Sequence, residues 1–136
     1  MEIKVKIKLT RGAANPAYAT DGSAAVDLRA ALEGVSITIP AGRRALIPTG
    51  VAISPEAKGV VAIVAARSGL AIKHGIALSN GIGVIDSDYR GEIQVGLLNT
   101  SDKEFIVNDG DRIAQLMFMP VLNAKLIEAI SLDDTG

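Results

Sequence analysis

Ile3, Val5, Ile7 and Leu9 alternate with Lys4, Lys6 and Lys8. A period of two sends successive side chains to opposite faces of a strand, so this stretch predicts a β-strand with one solvated, lysine-bearing face. Short β-like runs recur at residues 35–39, 60–64, 93–98, 105–107 and 113–118. Between them stand Pro40-Ala41-Gly42, Pro48-Thr49-Gly50, Ser54-Pro55-Glu56 and Asn108-Asp109-Gly110-Asp111, residue types that favour turns. Many short strands spaced by turns predict an all-β sandwich, jelly roll or barrel. Helical periodicity is weak, and one short helix is expected around residues 68–74. There is no internal repeat, low-complexity tract or linker.

The length of 136 residues fits one domain, and 49% hydrophobic with 21% charged residues excludes the disordered class. Aromatic residues are only 3%, which leaves the core to Val, Ile, Leu and Ala and predicts that burial leans on neighbouring subunits. Lys plus Arg total 14 against 15 Asp plus Glu, so no global field holds a nucleic acid, and any phosphate must be gripped locally. With no cysteine, disulfides, thiolate metal sites and a cysteine nucleophile are excluded; with His74 as the one histidine, so is a multi-histidine zinc site. No apolar run is long enough for a membrane span and the N-terminus has no apolar signal region. The expectation is a soluble, cytoplasmic protein.

Four segments are too polar or glycine-rich for strand interior. Arg67-Ser68-Gly69 follows the apolar run ending at Ala66, so a strand delivers it to a loop or helix start. Guanidinium, hydroxyl and an unobstructed backbone suit phosphate there, although such a tripeptide alone also describes a surface turn. Residues 80–92 read as a hairpin with Asp86-Ser87-Asp88 at its turn. Its aspartates either cap the turn, or Asp86, beside Val84-Ile85, is partly desolvated and acts as a general base. Tyr89 is then placed either to pack or to lay its ring on a sugar or base. Asp27 lies in the small-residue stretch 24–30, where a buried carboxylate needs either an arginine partner or a metal. Gly110-Asp111-Arg112 reads as a turn fixed by an Asp–Arg pair, and His74 as a structural residue.

In this order the four segments, spanning residues 24–116, resemble motifs one to four of the trimeric dUTPase family, enzymes that cleave dUTP to dUMP and pyrophosphate. The third, Gly83-Val84-Ile85-Asp86-Ser87-Asp88-Tyr89-Arg90-Gly91-Glu92, is the most specific. The resemblance implies a jelly-roll-like fold, a homotrimer with interfacial active sites, and Mg²⁺ as cofactor. It implies that Asp86 activates water, that Arg67, Ser68, Gly69 and Gln115 serve the phosphates, and that Asn80 with the backbone of Val84 and Ile85 reads uracil. Tyr89 would pack on deoxyribose and leave no room for a 2′-hydroxyl, Gln94 would line the nucleotide, and Asp27 would hold Mg²⁺ through water. Phosphoanhydride hydrolysis asks for positioning, charge neutralisation and an oriented nucleophile, and this set supplies them.

The chain departs from that pattern with Ala25 where glycine is frequent and Ala66 where proline is common. After Ser131-Leu132-Asp133-Asp134-Thr135-Gly136 the family's fifth motif, a glycine-rich closing tail, does not follow. The expectation is one domain over residues 1–136, cut short of that tail, with reduced activity. Two rivals remain at this point: a dCTP deaminase-like enzyme, against which Arg67-Ser68-Gly69 and Asp86-Ser87-Asp88-Tyr89 speak, and a dUTP-binding regulatory homologue that has lost catalysis.

Overall fold

Ten strands and one short helix make up the fold, in a computed structural model that describes residues 1–135. The strands are β1 (Val5–Leu9), β2 (Val26–Arg29), β3 (Ser36–Ile39), β4 (Arg44–Pro55) and β5 (Val60–Ala65), then β6 (Ile76–Leu78), β7 (Gly83–Ile85), β8 (Ile93–Asn99), β9 (Phe105–Asn108) and β10 (Arg112–Pro120). Helix α1 (Ser68–His74) lies between β5 and β6. One four-stranded sheet has the order β1-β4-β8-β6, a second β2-β10-β5-β7, and β3 pairs with β9 alone. Every pairing is antiparallel.

Inward-facing residues of both large sheets make one core, including Leu28, Ile47, Ile76, Leu97 and Ile113. Strand β8 shows the alternation in full: Ile93, Val95, Leu97 and Asn99 are buried and the residues between them are not. Asn99 is wholly buried yet satisfied, donating to the carbonyls of Ile39 (3.0 Å) and Lys103 (2.7 Å) while accepting from the N–H and hydroxyl of Ser101. Strand β1 forms as its alternation predicts, but its apolar face does not become core: Ile7 and Leu9 remain exposed in the single chain.

Two expectations need correction. Pro48-Thr49-Gly50 does not end a strand but sits inside β4, at a register shift against β8 between Pro48 and Val51. The break is accommodated because Gly50 adopts φ +68°, where a Cβ would strike the carbonyl of Thr10, and because the Thr49 hydroxyl donates to the Ile93 carbonyl. Residues 80–92 do not form a hairpin either. Strand β7 pairs with β5 in the second sheet while β8 belongs to the first, so the segment crosses between sheets. The turn itself is present, closed by the Tyr89 N–H on the Asp86 carbonyl at 3.1 Å. The link from β5 through α1 to β6 crosses between the same two sheets, so two of the four polar segments are neighbouring crossovers.

Candidate active site

The end of β5 delivers Arg67 to the N-cap position of α1, with extended backbone angles and no capping side chain. Ser68 and Gly69 are the first residues of that helix, and the N–H groups of its first turn have no side-chain acceptor from the cap. Arg67 Nε lies 3.2 Å from Asp27 Oδ1, and Arg112 Nη1 lies 3.8 Å from Asp27 Oδ2. Gln115 of β10 stands opposite Asp27 on one side and Ala65 on the other, and its amide donates to the Ala66 carbonyl at 2.9 Å. Strand pairing thus gathers Asp27, Arg67, Ser68, Gly69 and Gln115 around one cleft of about 300 Å³, with Ser23 and Arg112 added.

A second cleft, of about 360 Å³, is lined by Asn80, Val84, Ile85, Tyr89 and Gln94, with Glu92 among them. Strand β7 is an edge strand, so the polar backbone groups on its outer side have no neighbouring strand to bond. The Tyr89 ring lies over Gly91, where a Cβ would run into the tyrosine hydroxyl, and that hydroxyl donates to the Glu92 carbonyl at 3.3 Å. Asp86 stands at the turn that leaves β7 and is exposed, so the partial desolvation expected of it is not supplied by the single chain. The structure therefore brings the phosphate candidates together and the base and sugar candidates together, in two clefts rather than one.

Three features escaped the sequence reading. Arg112 does not pair with Asp111, as its position in the turn suggested; it reaches Asp27 across the β2–β10 ladder, while Asp111 accepts from the Asn108 N–H. Asp109 accepts the N–H groups of Leu32 (2.8 Å) and Gly34 (2.9 Å), and these bonds hold its carboxyl below the ordinary range. Glu92 accepts a forked pair of bonds from Arg11 (2.9 and 3.2 Å) and one from the Gly50 N–H (2.7 Å). Partial burial pushes the Glu92 pKa up, but the hydrogen bonds from Arg11 and Gly50, with the charge of Arg11, outweigh it and hold the group low. His74 ends α1 exposed, its ring tilted against Phe105 at 5.6 Å.

A model of the dUTPase family matches residues 11–136. The chain belongs to the dUTPase family. It is 53% identical to the deoxyuridine 5′-triphosphate nucleotidohydrolase of Desulfitobacterium hafniense (strain DSM 10664 / DCB-2), covering 98% of this chain and 90% of that one. It is 49% identical to the enzyme of the same name from Shewanella baltica (strain OS155 / ATCC BAA-1091), over 89% of this chain and 80% of the relative. The fold matches a dUTPase variant of Staphylococcus bacteriophage 80alpha solved with dUpNHpp, at TM-score 0.85 and 21% identity, covering 98% and 92% of the two chains. It also matches a variant of the phage phi11 dUTPase of S. aureus solved with a structural Mg(II) ion, at TM-score 0.85, 20% identity and coverage of 96% and 99%. The all-β, jelly-roll-like architecture is thus that of the dUTPases.

No group of three or more His, Cys, Asp or Glu side chains able to hold a metal exists among the described residues of this dUTPase-family chain. A metal caged by the described residues of one chain alone does not fit. Among the described residues Asp27 is the one carboxylate of its cleft and is engaged by two guanidinium groups, so it would meet a phosphate-bound cation once Arg67 turns from it to the phosphates. Among the described residues no helix is long and apolar enough to cross a membrane.

Proposed function

We propose that this chain hydrolyses dUTP to dUMP and pyrophosphate in a homotrimer whose active sites are completed between subunits. The observation that carries the reading is the sorting of the four polar segments into two clefts. One has cationic and hydroxyl donors beside a lone carboxylate, the other a free strand edge with an aromatic ring. A nucleoside triphosphate needs those two kinds of surface. The interfacial arrangement accounts for the exposure of Asp86 and of Ile7, Leu9, Leu122, Leu126, Ile127 and Ile130 in one chain, because a second subunit would cover apolar surface of this extent.

In this reading Asn80 and the backbone of Val84 and Ile85 pair with uracil, Gln94 lines the nucleotide, and Tyr89 packs on the deoxyribose where a 2′-hydroxyl would collide. Arg67 leaves its pair with Asp27 to share the phosphates with Ser68, Gly69 and Gln115, a bidentate donor suited to that geometry. Asp86 takes the proton of a water whose oxygen attacks the α-phosphorus; the bond to the bridging oxygen breaks and pyrophosphate leaves. Mg²⁺ fits at Asp27, held through water, and supplies neutralisation of triphosphate charge when bound.

Pyrophosphate release measured across the four dNTPs, dUTP and UTP, with and without Mg²⁺, tests the reading. Release confined to dUTP is expected, lost in Asp86→Asn with nucleotide binding retained, and lost together with binding in Arg67→Ala. Ammonia release from dCTP, or undiminished turnover by Asp86→Asn, would overturn it.

A further inference from the structure

The link of residues 86–92 carries both the proposed base and the proposed sugar platform, and its internal bonds are local. The Tyr89 N–H donates to the Asp86 carbonyl, Arg90 Nη1 donates to the carbonyls of Ser87 (2.7 Å) and Tyr89 (3.2 Å), and the Tyr89 hydroxyl donates to the Glu92 carbonyl. Glu92 joins the link to β8, whose first residue Ile93 pairs with Val51 and accepts the Thr49 hydroxyl at its carbonyl, and the Glu92 carboxylate adds a second hold. The Glu92 side chain, 19% exposed, takes the fork from Arg11 and the Gly50 N–H. Both donors are themselves fixed: Gly50 is the irregular point of β4, and its carbonyl accepts the N–H of Thr10, the residue before Arg11. The other end of the link is held by strand pairing alone: β7 is laddered to β5 through Val84–Ile63 and Ile85–Ala62, directly before Asp86.

Resting on the dUTP-hydrolase reading, we infer that Glu92, clamped by Arg11 and the Gly50 N–H, is a positioning residue that seats Tyr89. It thereby sets nucleotide affinity and rejection of the 2′-hydroxyl. The two ends of the link divide the work. The β5–β7 ladder holds Asp86, and the Glu92 clamp holds the turn that presents the ring. Loss of the clamp lets the Tyr89 end shift while the base stays placed, so affinity and sugar choice suffer more than the chemical step. Gln94, lining the same cleft, is held separately by its pairing with Pro48 of β4.

The test uses the full chain with Glu92→Gln, Arg11→Ala, Arg11→Lys and the Glu92→Gln/Arg11→Ala double variant. KM and kcat are measured for dUTP and UTP, and amide hydrogen exchange of residues 86–92 is measured without nucleotide. Glu92→Gln and Arg11→Ala are each expected to raise KM about tenfold with kcat within about twofold, and to lower the dUTP over UTP preference. Exchange in the link should quicken by about tenfold. The double variant should be no worse than the worse single one, because both remove one interaction, and Arg11→Lys should recover part of the loss. Additive effects, or kcat falling as far as affinity, would overturn the inference, as would unchanged KM and exchange in variants that unfold at the parent temperature. Exchange needs no substrate, so the two readings separate. Faster exchange in the variants of a parent inert toward dUTP keeps the clamp and sinks the hydrolase reading, whereas unchanged exchange with an active parent sinks the clamp alone.

Discussion

Replacing Gly91 with alanine perturbs the seat of the Tyr89 ring with one methyl group. The constraint at this glycine is space: a Cβ would run into the tyrosine hydroxyl and come within 2.7 Å of Cζ and 3.2 Å of Cε1. Unstrained carbon contacts lie at about 3.5–4.0 Å, so the tip of the ring must retreat by roughly 1 Å. Tyr89 is 47% exposed, so the ring can swing outward and the fold absorbs the change. The retreat removes the hydroxyl's bond to the Glu92 carbonyl, at most about 1 kcal/mol in such an exposed place. It also withdraws the ring from the sugar, a contact of about 1 kcal/mol. Only the sugar contact distinguishes bound from free enzyme, and its about 1 kcal/mol corresponds to roughly fivefold in kcat/KM for dUTP. The unfolding free energy should change by less than about 1 kcal/mol. Initial rates of pyrophosphate release over a range of dUTP concentrations, with a guanidinium titration of the same preparation, measure both quantities. A kcat/KM within about twofold of the parent would refute the packing argument. So would a loss of stability large enough to account for the missing activity.

Asn99→Ala removes four hydrogen bonds and leaves the buried Ile39 carbonyl without its donor, so denaturant titration should show a loss of about 3 kcal/mol. Glu92, faced by Arg11, the Gly50 N–H and Gln94, with Glu33 on the far side of Arg11, has a folded pKa below its unfolded one. Its stabilising contribution is therefore present above the unfolded value and lost as pH falls through the folded value. Glu92→Gln should accordingly lose less stability than the parent between about pH 5 and pH 3 in parallel thermal melts. Asp27→Asn removes the charge between Arg67 and Arg112, and titration of the pyrophosphate-release rate with Mg²⁺ should show a half-maximal concentration raised severalfold.

Strands were legible in the sequence where one face is wet and the other buried, as in β8, or where an apolar run ends at clear turn residues, as in β5. Strand β4 was hidden because Pro48-Thr49-Gly50 has turn chemistry, and only its position against Ile93 and Thr10 shows that the break is a bulge within a continuing strand. Strand β6, three residues long, leaves too short a pattern to read. The segment 80–92 has the composition of a hairpin, and nothing local states that its two arms join different sheets. The same limit applies to the site. Asp27, Arg67 and Gln115 were found as residue types suited to phosphate and metal, but that Arg112 completes their cluster depends on which strand lies beside β2. Glu92 was read as the close of a motif, and its partners, 81 and 42 residues away in sequence, gave no local sign.

The crossovers have a mechanical consequence. The chain passes directly between the two large sheets at β1 to β2, β4 to β5, β5 to β6, β6 to β7 and β7 to β8, and the last three of these join strands at or next to the same edges, β6 of one sheet and β7 of the other. That border is stitched three times by covalent chain. The β6 and β7 border is thereby the one hardest to part; the cleft of Asn80, Val84 and Tyr89 lies along it, whereas the cleft around Asp27 reaches to β2 at the opposite edge.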